Sequence, residues 1–262
     1  MSALDWDAAT YDRIADPQEA WAREIIARME LRGDELVLDA GCGSGRVTRL
    51  LLERLPRGGV LAVDASSAMV AQATAALGAE VAAGRLAVEV RDLLELALDE
   101  PVDAVFSCAV FHHIHDHPRL FSRLHAALRA GGRLTAQCGG AGNIDRFRRV
   151  SDEVCAREPY GRHLADMDSP WNYATPEGTE QRLLAAGFAR ARCWTEPKPT
   201  FPADARAFTR SVLLNYHGAR LRERAGAREG SRLAEELTSE VLAAMGEPLR
   251  LDYVRLNIEA VA

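Results

Sequence analysis

Two rhythms of apolar residues take turns along the first half of this chain. Leu36-Val37-Leu38, Val60-Leu61-Ala62-Val63 and Asp103 to Cys108 are short, nearly continuous apolar runs; Leu86, Val88 and Val90 alternate; Arg133 to Cys138 makes a fifth run. A strand covered on both faces loses the in-and-out alternation of a half-exposed one, so this set predicts a parallel sheet between helices. The helices show as stripes three and four residues apart: Trp21, Ile25, Ile26 and Met29; Val47, Leu50, Leu51 and Leu52; Met69, Val70 and Ala73; Leu120, Phe121, Leu124 and Leu128. Start and stop residues frame them. Asp16-Pro17 with Glu19 opens a helix from about Pro17 to Arg32 that Gly33 ends, Ser66 caps one that runs to Leu77, and Pro118 and Gly131-Gly132 bracket another.

Beyond Cys138 the rhythm breaks. Gly139 to Pro170 is glycine, arginine and short amphipathic pieces, which reads as an insertion over the ligand side of the sheet. Thr175-Pro176-Glu177 opens a helix through Leu183 and Leu184 to Gly187, and Phe188 to Trp194 follows as a strand. Pro202 to Met245 holds two helical patterns, the second with Leu233, Leu237, Val241 and Met245 on one face, and Leu249 to Val261 alternates as a final strand. The expected architecture is α/β, a Rossmann-like doubly wound sheet with a helical cap built from the N-terminus and insertions. Its parts are residues 1–33 (N-terminal helical cap), 34–138 (ligand-binding core), 139–175 (cap insertion), 176–196 (core helix and strand), 197–248 (helical cap insertion) and 249–262 (final core strand).

The chemistry concentrates in Glu35 to Arg46, where the first strand reaches Asp39 and then meets glycines at 41, 43 and 45 before a helix. Such glycines let the backbone take positive φ and approach a ligand closely, beside the unpaired N–H groups of a helix start. Arg46 stands where the dinucleotide fingerprint G-x-G-x-x-G needs its third glycine, so the turn favours a nucleoside ligand without a pyrophosphate. Asp64 ends the second strand, which lies beside the first in a doubly wound sheet, so its carboxylate is placed for both hydroxyls of a ribose. Asp92-Leu93 follows the third strand, an acceptor for an adenine amino group beside an apolar neighbour.

Net charge of −6 argues against a phosphate-backbone partner, so nucleic acid is not expected. Five cysteines, Cys42, Cys108, Cys138, Cys155 and Cys193, are odd in number and widely spaced, as in a reduced compartment. The acidic Met-Ser-Ala-Leu-Asp-Trp-Asp start has no signal-peptide core and no apolar run has spanning length. A cytoplasmic protein without a membrane partner, monomer or homodimer, is expected.

Asp39-Ala-Gly-Cys-Gly-Ser-Gly, Asp64, Asp92-Leu93 and Arg129-Ala-Gly-Gly-Arg together resemble the class I S-adenosylmethionine-dependent methyltransferases over about residues 30 to 140. The resemblance implies a seven-stranded sheet whose last strand runs antiparallel between strands five and six. It implies S-adenosylmethionine as cofactor and S-adenosylhomocysteine as product, with Asp39, Gly41 and Gly43 at the methionine part, Asp64 at the ribose and Asp92 and Leu93 beside adenine. Cys42, Ala65, Met69 and Cys108, at or just after the same strand ends, complete the expected cofactor-binding set.

More narrowly, Trp6 and Tyr11, the segment Pro170-Trp171-Asn172-Tyr173-Ala174-Thr175-Pro176 with Ala185-Ala186-Gly187-Phe188, and the long helical insertion are similar to trans-aconitate methyltransferases and relatives that methylate small carboxylic acids, among other substrates. Methyl transfer from a sulfonium releases a neutral sulfur, so alignment carries most of the rate. A carboxylate nucleophile is already ionised and needs no base, only orientation, for which Arg146, Arg148 and Arg149 stand ready. A hydroxyl or amine nucleophile needs one, and His112 and His113, directly after strand four, are placed for it. Trp6, Tyr11, Phe111, Arg146, Trp171 and Tyr173 form the expected substrate-binding set, the first two either covering a ligand or packing on the domain. His112, His113, His115 and His117 lack accompanying carboxylate or cysteine ligands at metal-site spacing, so no metal is expected. An oxidoreductase reading fails on the early third glycine and on the absence of a Ser/Tyr-x-x-x-Lys pair. Methyltransferases acting on nucleic acid or protein amides carry Asn-Pro-Pro-aromatic where Ser107 to His112 stands here. The remaining alternative is a non-enzymatic S-adenosylmethionine-binding protein.

Overall fold

One mixed sheet of seven strands organises the molecule, in the order β3-β2-β1-β4-β5-β7-β6. The computed structural model describes residues 16 to 165, 167 and 169 to 262, so Trp6 and Tyr11 lie outside the described residues. The strands are β1 (Leu36–Ala40), β2 (Gly59–Asp64), β3 (Leu86–Val90), β4 (Val102–Cys108), β5 (Leu128–Gly139), β6 (Arg190–Pro197) and β7 (Val254–Val261). The helices, in chain order, are α1 (Asp16–Arg28), α2 (Arg46–Arg54), α3 (Ser67–Ala76), α4 (Gly78–Ala82), α5 (His117–Ala127), α6 (Asp145–Cys155), α7 (Gly161–Leu164), α8 (Pro176–Ala185), α9 (Ala205–Leu213), α10 (Ala219–Ala225) and α11 (Ala227–Met245). A single π-helical turn, Leu214–Gly218, joins α9 to α10.

The first five strands pair in parallel, whereas β7 runs antiparallel to both β5 and β6. Parallel neighbours require crossovers, which the intervening helices supply. From β1 the chain moves outward to β2 and β3, then returns to the other side of β1 as β4. The order therefore reverses between β1 and β4, and a crevice opens at their carboxyl ends.

Each face of the sheet buries its own apolar cluster. Ile25, Ile26 and Met29 of α1 and Leu51 of α2 meet Val37 and Phe106 on one face. Leu120, Phe121 and Leu124 of α5 and Leu183 of α8 meet Leu38, Val105 and Leu134 on the other. A third cluster belongs to the cap, where Phe147, Tyr160, Phe208, Leu221, Leu237 and Val241 pack among α6, α7 and α9 to α11. Each of its fully buried leucines contributes about 2–3 kcal/mol, so the cap has a core of its own.

Several element ends differ from the sequence-based expectation. The first helix stops at Arg28 rather than Arg32, because Glu30 takes positive φ (52°) and the following turn is held by the buried Glu35 carboxylate, which accepts N–H bonds from Arg32, Gly33 and Asp34. Strand five begins at Leu128 rather than Arg133: Leu128 aligns with Val102, and a register shift beyond that pair is absorbed before Arg133 meets Ala104. Strand six begins at Arg190 and runs to Pro197, since Phe188 turns into the core against the His125 ring. The last strand begins at Val254, Leu251 being bridged to Thr200 instead. The region from Pro202 to Met245 makes three helices and the π turn rather than two helices.

Candidate active site

The turn after β1 is built on positive φ: 83° at Gly41, 54° at Gly43 and 85° at Gly45. Two of these glycines answer to packing. A Cβ on Gly41 would lie 2.7 Å from Val110 Cγ1, and one on Gly45 would lie 3.1 Å from the Ala73 Cβ. Gly43 differs, because a Cβ there would meet nothing within 4 Å; its outer side is open space. The N–H groups of Gly41 and Cys42 both bond the Val63 carbonyl, tying the turn to the end of β2. Asp64 then completes the link, accepting the Gly43 N–H at 3.0 Å on one carboxylate oxygen and the Ser66 N–H at 2.9 Å on the other. Each oxygen keeps a further lone pair, so two hydroxyls can be bound without dismantling the turn.

Beneath the turn, Asp39 is buried and accepts the Thr48 hydroxyl at 2.7 Å. Burial pushes its carboxyl up to about 7. Met69 is buried at the start of α3, where its N–H bonds the capping Ser66 hydroxyl, and Ala65 is exposed beside it. Asp92, exposed at the end of β3, accepts the Leu94 N–H with one oxygen. These positions give an open glycine surface, a diol acceptor and an exposed acid around one crevice, a donor and acceptor set that fits a nucleoside cofactor with no pyrophosphate. Cys42 and Cys108 stand at its edge as protonated thiols, since burial pushes Cys108 up to about 11 and Cys42 further.

At the carboxyl end of β4 a cluster of rings joins the sheet to the cap. His112 and His113 lie with ring centroids 4.0 Å apart, His112 stacks on Tyr173 at 5.6 Å, and Tyr173 stacks on Trp171 at 5.9 Å. The Trp171 indole donates to the Tyr216 hydroxyl at 2.9 Å, and that hydroxyl lies 3.3 Å from His113 Nδ1. The Gly139 N–H points at His112 Nδ1 at 3.4 Å. Burial lowers both imidazoles, His113 to about 4 and His112 well below its ordinary value, so both rings are neutral at pH 7.

Arg148 covers this cluster from α6, its guanidinium carbon 5.2 Å from the Tyr173 ring centre and 6.0 Å from that of Trp171. Among the described residues its side chain has no hydrogen bond or ion pair. It borders a cavity of about 310 Å³ in the cap, lined also by Phe147, Ser151, Leu213, Tyr216 and His217. On the opposite side Arg255 of β7 is buried, 4% exposed, stacked over Trp21 at 4.9 Å and bonded through Nε to Gln137, while its Nη2 has no partner among the described residues.

Three of the expected site residues fall elsewhere. Phe111 is 1% exposed and packs edge-on to Phe121 in the core, so it lines no substrate space. Leu93 is likewise core, packed with the apolar cluster under α5, which leaves Asp92 alone at the surface there. Arg146 points away from the cluster and donates to the Met245 carbonyl at the end of α11, while Arg149 pairs with Asp145; the arginine that meets the rings is Arg148. Trp171, Tyr173, His112 and His113 do come together. Residues the sequence reading missed are Tyr216, His217, Ser151 and Arg255. Ser151 had a signal, standing three residues on from Arg148 on one helix face. Among the described residues no group of three or more His, Cys, Asp or Glu is placed to hold a metal ion, and no helix is long and apolar enough to cross a membrane.

A sheet with its last strand reversed, a glycine turn after β1 and an acid closing β2 define a Rossmann-like methyltransferase, and the comparisons agree. Residues 37–132 match the family model described as a methyltransferase domain. The chain is 32% identical over 192 residues to a trans-aconitate 2-methyltransferase of Variovorax paradoxus (strain S110), covering 73% of this chain and 71% of that one. It is 33% identical over 162 residues to the protein of that name from Methylobacterium nodulans, covering 62% and 60% of the two. A solved Haemonchus contortus phosphoethanolamine N-methyltransferase superposes with a TM-score of 0.59 at 21% identity, covering 97% of this chain and 56% of that one. A mycolic acid cyclopropane synthase in complex with S-adenosylhomocysteine gives 0.57 at 16%, covering 94% and 84%. The chain belongs to the class I S-adenosylmethionine-dependent methyltransferases, and S-adenosylmethionine is its methyl donor.

Proposed function

We propose that this methyltransferase O-methylates a small carboxylic acid. The observation that carries the reading is the donor character of the ring cluster. His112 Nδ1 faces a backbone N–H, so its own proton sits on Nε2 and the ring meets the site as a donor. The Tyr216 hydroxyl, which accepts from Trp171, lies 3.3 Å from His113 Nδ1, a contact that fits either tautomer of that ring. A neutral donor at His112 and the guanidinium of Arg148 suit a nucleophile that only accepts hydrogen bonds. A carboxylate is such a nucleophile, ionised at pH 7 with an ordinary pKa of about 4.

When bound, S-adenosylmethionine supplies a methyl group on a sulfonium whose departing sulfur is neutral and takes no proton. The new bond consumes the carboxylate's charge, so no proton moves and no base is required. The chain's own residues align and desolvate. Arg148, whose guanidinium lies over Trp171 and Tyr173, matches a carboxylate with two parallel N–H bonds. The reacting pair carries two carboxylates, that of the acceptor and that of the cofactor's methionine part. Two guanidiniums flank the site, Arg148 with Asp152 one turn along its helix, and Arg255, on the α1 side, goes to the cofactor while Arg148, in the cap, goes to the acceptor. The similarity to trans-aconitate 2-methyltransferases supports the same chemistry.

The test is the bond formed. With cofactor labelled in the methyl group, an ester releases labelled methanol in mild alkali, whereas an ether or N-methyl product keeps its label. Because burial holds both imidazoles neutral from pH 6 to 9, a flat rate profile follows on either chemistry, and the histidine variants decide. His112→Ala and His113→Ala should lower kcat less than about tenfold, and Arg148→Gln should mainly raise KM. An alkali-stable product with a loss of about 10² or more on removing one histidine would refute the proposal.

A further inference from the structure

The cap cavity of about 310 Å³ begins where the ring cluster ends, sharing Arg148, Trp171 and Tyr216 with it. Two of its polar atoms have no partner among the described residues: Ser151 Oγ, on a side chain 5% exposed, and His217 Nδ1. A buried hydroxyl or imidazole left unpaired costs about 1–3 kcal/mol, so each atom waits for a hydrogen bond from whatever fills the cavity. His217 is neutral, its pKa lowered to about 4 by burial, so it brings no charge. It lies in the π turn with Tyr216, and both line the cavity opposite α6 residues Phe147, Arg148 and Ser151.

Charge limits what enters. Arg148 is the one cation among the described residues lining the cavity, and Asp152 stands one helical turn from it. Burial pushes its carboxyl above the ordinary range, and Arg148 draws it back part of the way. Much of the remaining wall is apolar, with Phe147, Leu164, Met167 and Leu213. At roughly 30 Å³ for each water-sized unit, the cavity holds about ten such units, the bulk of an eight-carbon acid.

Resting on the carboxylate reading above, we infer that this cavity receives the body of the acceptor, and that the acceptor is a monocarboxylic acid. Its apolar chain carries one hydroxyl or carbonyl oxygen for Ser151 and His217. The carboxylate stays at Arg148, beside the ring cluster, and the chain extends between α6 and the π turn. The tricarboxylic acid named for the relatives carries further carboxylates, which would find no additional cation among the described residues lining the cavity.

Initial rates with methyl-labelled cofactor on octanoate, hydroxyoctanoate and trans-aconitate test it in the whole protein. Hydroxyoctanoate should show the highest kcat/KM, octanoate next, and trans-aconitate at least tenfold lower. Ser151→Ala and His217→Leu should each raise KM for hydroxyoctanoate about 3- to 10-fold, the loss of one hydrogen bond, and leave that for octanoate within twofold. His217→Gln, which keeps a polar atom at the same place, should stay within threefold of the original. Unchanged S-adenosylhomocysteine affinity shows that the variants fold. Preference for trans-aconitate with KM insensitive to both positions would overturn the inference while leaving ester formation intact. An alkali-stable product from amines or phenols, with all three acids inert, would remove the carboxylate reading itself.

Discussion

Gly41→Ala and Gly43→Ala should separate a turn needed for folding from a surface needed for the cofactor. Both positions have φ in the left-handed region, 83° and 54°, which costs an alanine about 1–2 kcal/mol. At Gly41 the new methyl would also sit 2.7 Å from Val110 Cγ1 and 2.8 Å from Val110 Cβ, and such overpacking adds about 1–3 kcal/mol. Urea denaturation of the ligand-free protein should therefore show a loss of about 2–5 kcal/mol for Gly41→Ala and about 1–2 kcal/mol for Gly43→Ala. Val110→Ala should restore part of the first and none of the second. Cofactor affinity should reverse the order of severity. The Gly43 methyl enters the open space above the turn, so calorimetry should find S-adenosylhomocysteine bound at least about tenfold more weakly, or about 1.4 kcal/mol. A Gly43→Ala protein that binds S-adenosylhomocysteine as tightly as the original would refute the argument, because that space would then not be where the cofactor approaches.

Asp64→Ala should weaken S-adenosylhomocysteine binding by about 1.5–3 kcal/mol, a charged acceptor for two hydroxyls being lost, and an unchanged dissociation constant would place the ribose elsewhere. Acid should destabilise through the buried imidazoles. His113 and His217 titrate in the folded chain near 4 instead of 6.5, so the stability each gives is complete above pH 6.5 and lost as pH falls through 4, up to about 3 kcal/mol apiece. Asp39, held up to about 7, works in the opposite sense, favouring the folded state as pH falls from 7 toward 3.8. Comparing His217→Gln with the original from pH 7 to 4 isolates the histidine, and parallel stability curves would show that it is solvated.

What the sequence revealed was what is local. The glycines at 41, 43 and 45, the Ser66 cap and the apolar runs of β1, β2 and β4 act within a few residues, and each stands where the pattern put it. Phe111 and Leu93 misled because an apolar residue next to a ligand and one in the core beneath it look alike in one dimension. Arg146 misled for want of a helical phase. Once α6 starts at Asp145, position 148 shares a face with Ser151, Asp152 and Cys155, whereas position 146 turns toward α11. Tyr216 and His217 were hidden by the π turn, which breaks the 3.6-residue period used to assign faces. Arg255 was hidden by distance, since its surroundings come from α1 and β5.

The place of β7 bears on how the molecule is made. It is the last of the seven described strands to leave the ribosome, yet it lies inside the sheet, and β6 joins the other described strands only through it. Until residues 254–261 are synthesised, β5 and β6 each present an unpaired edge across a gap one strand wide, and such edges invite pairing with other chains. The helices from α9 to α11 emerge during that interval and can gather their own apolar cluster while the sheet is unfinished. The sheet is thus closed from within, by a keystone rather than by growth at its rim. A chain that stalls after Met245 would carry a finished roof over two open seams, a species for chaperones and proteases rather than for catalysis.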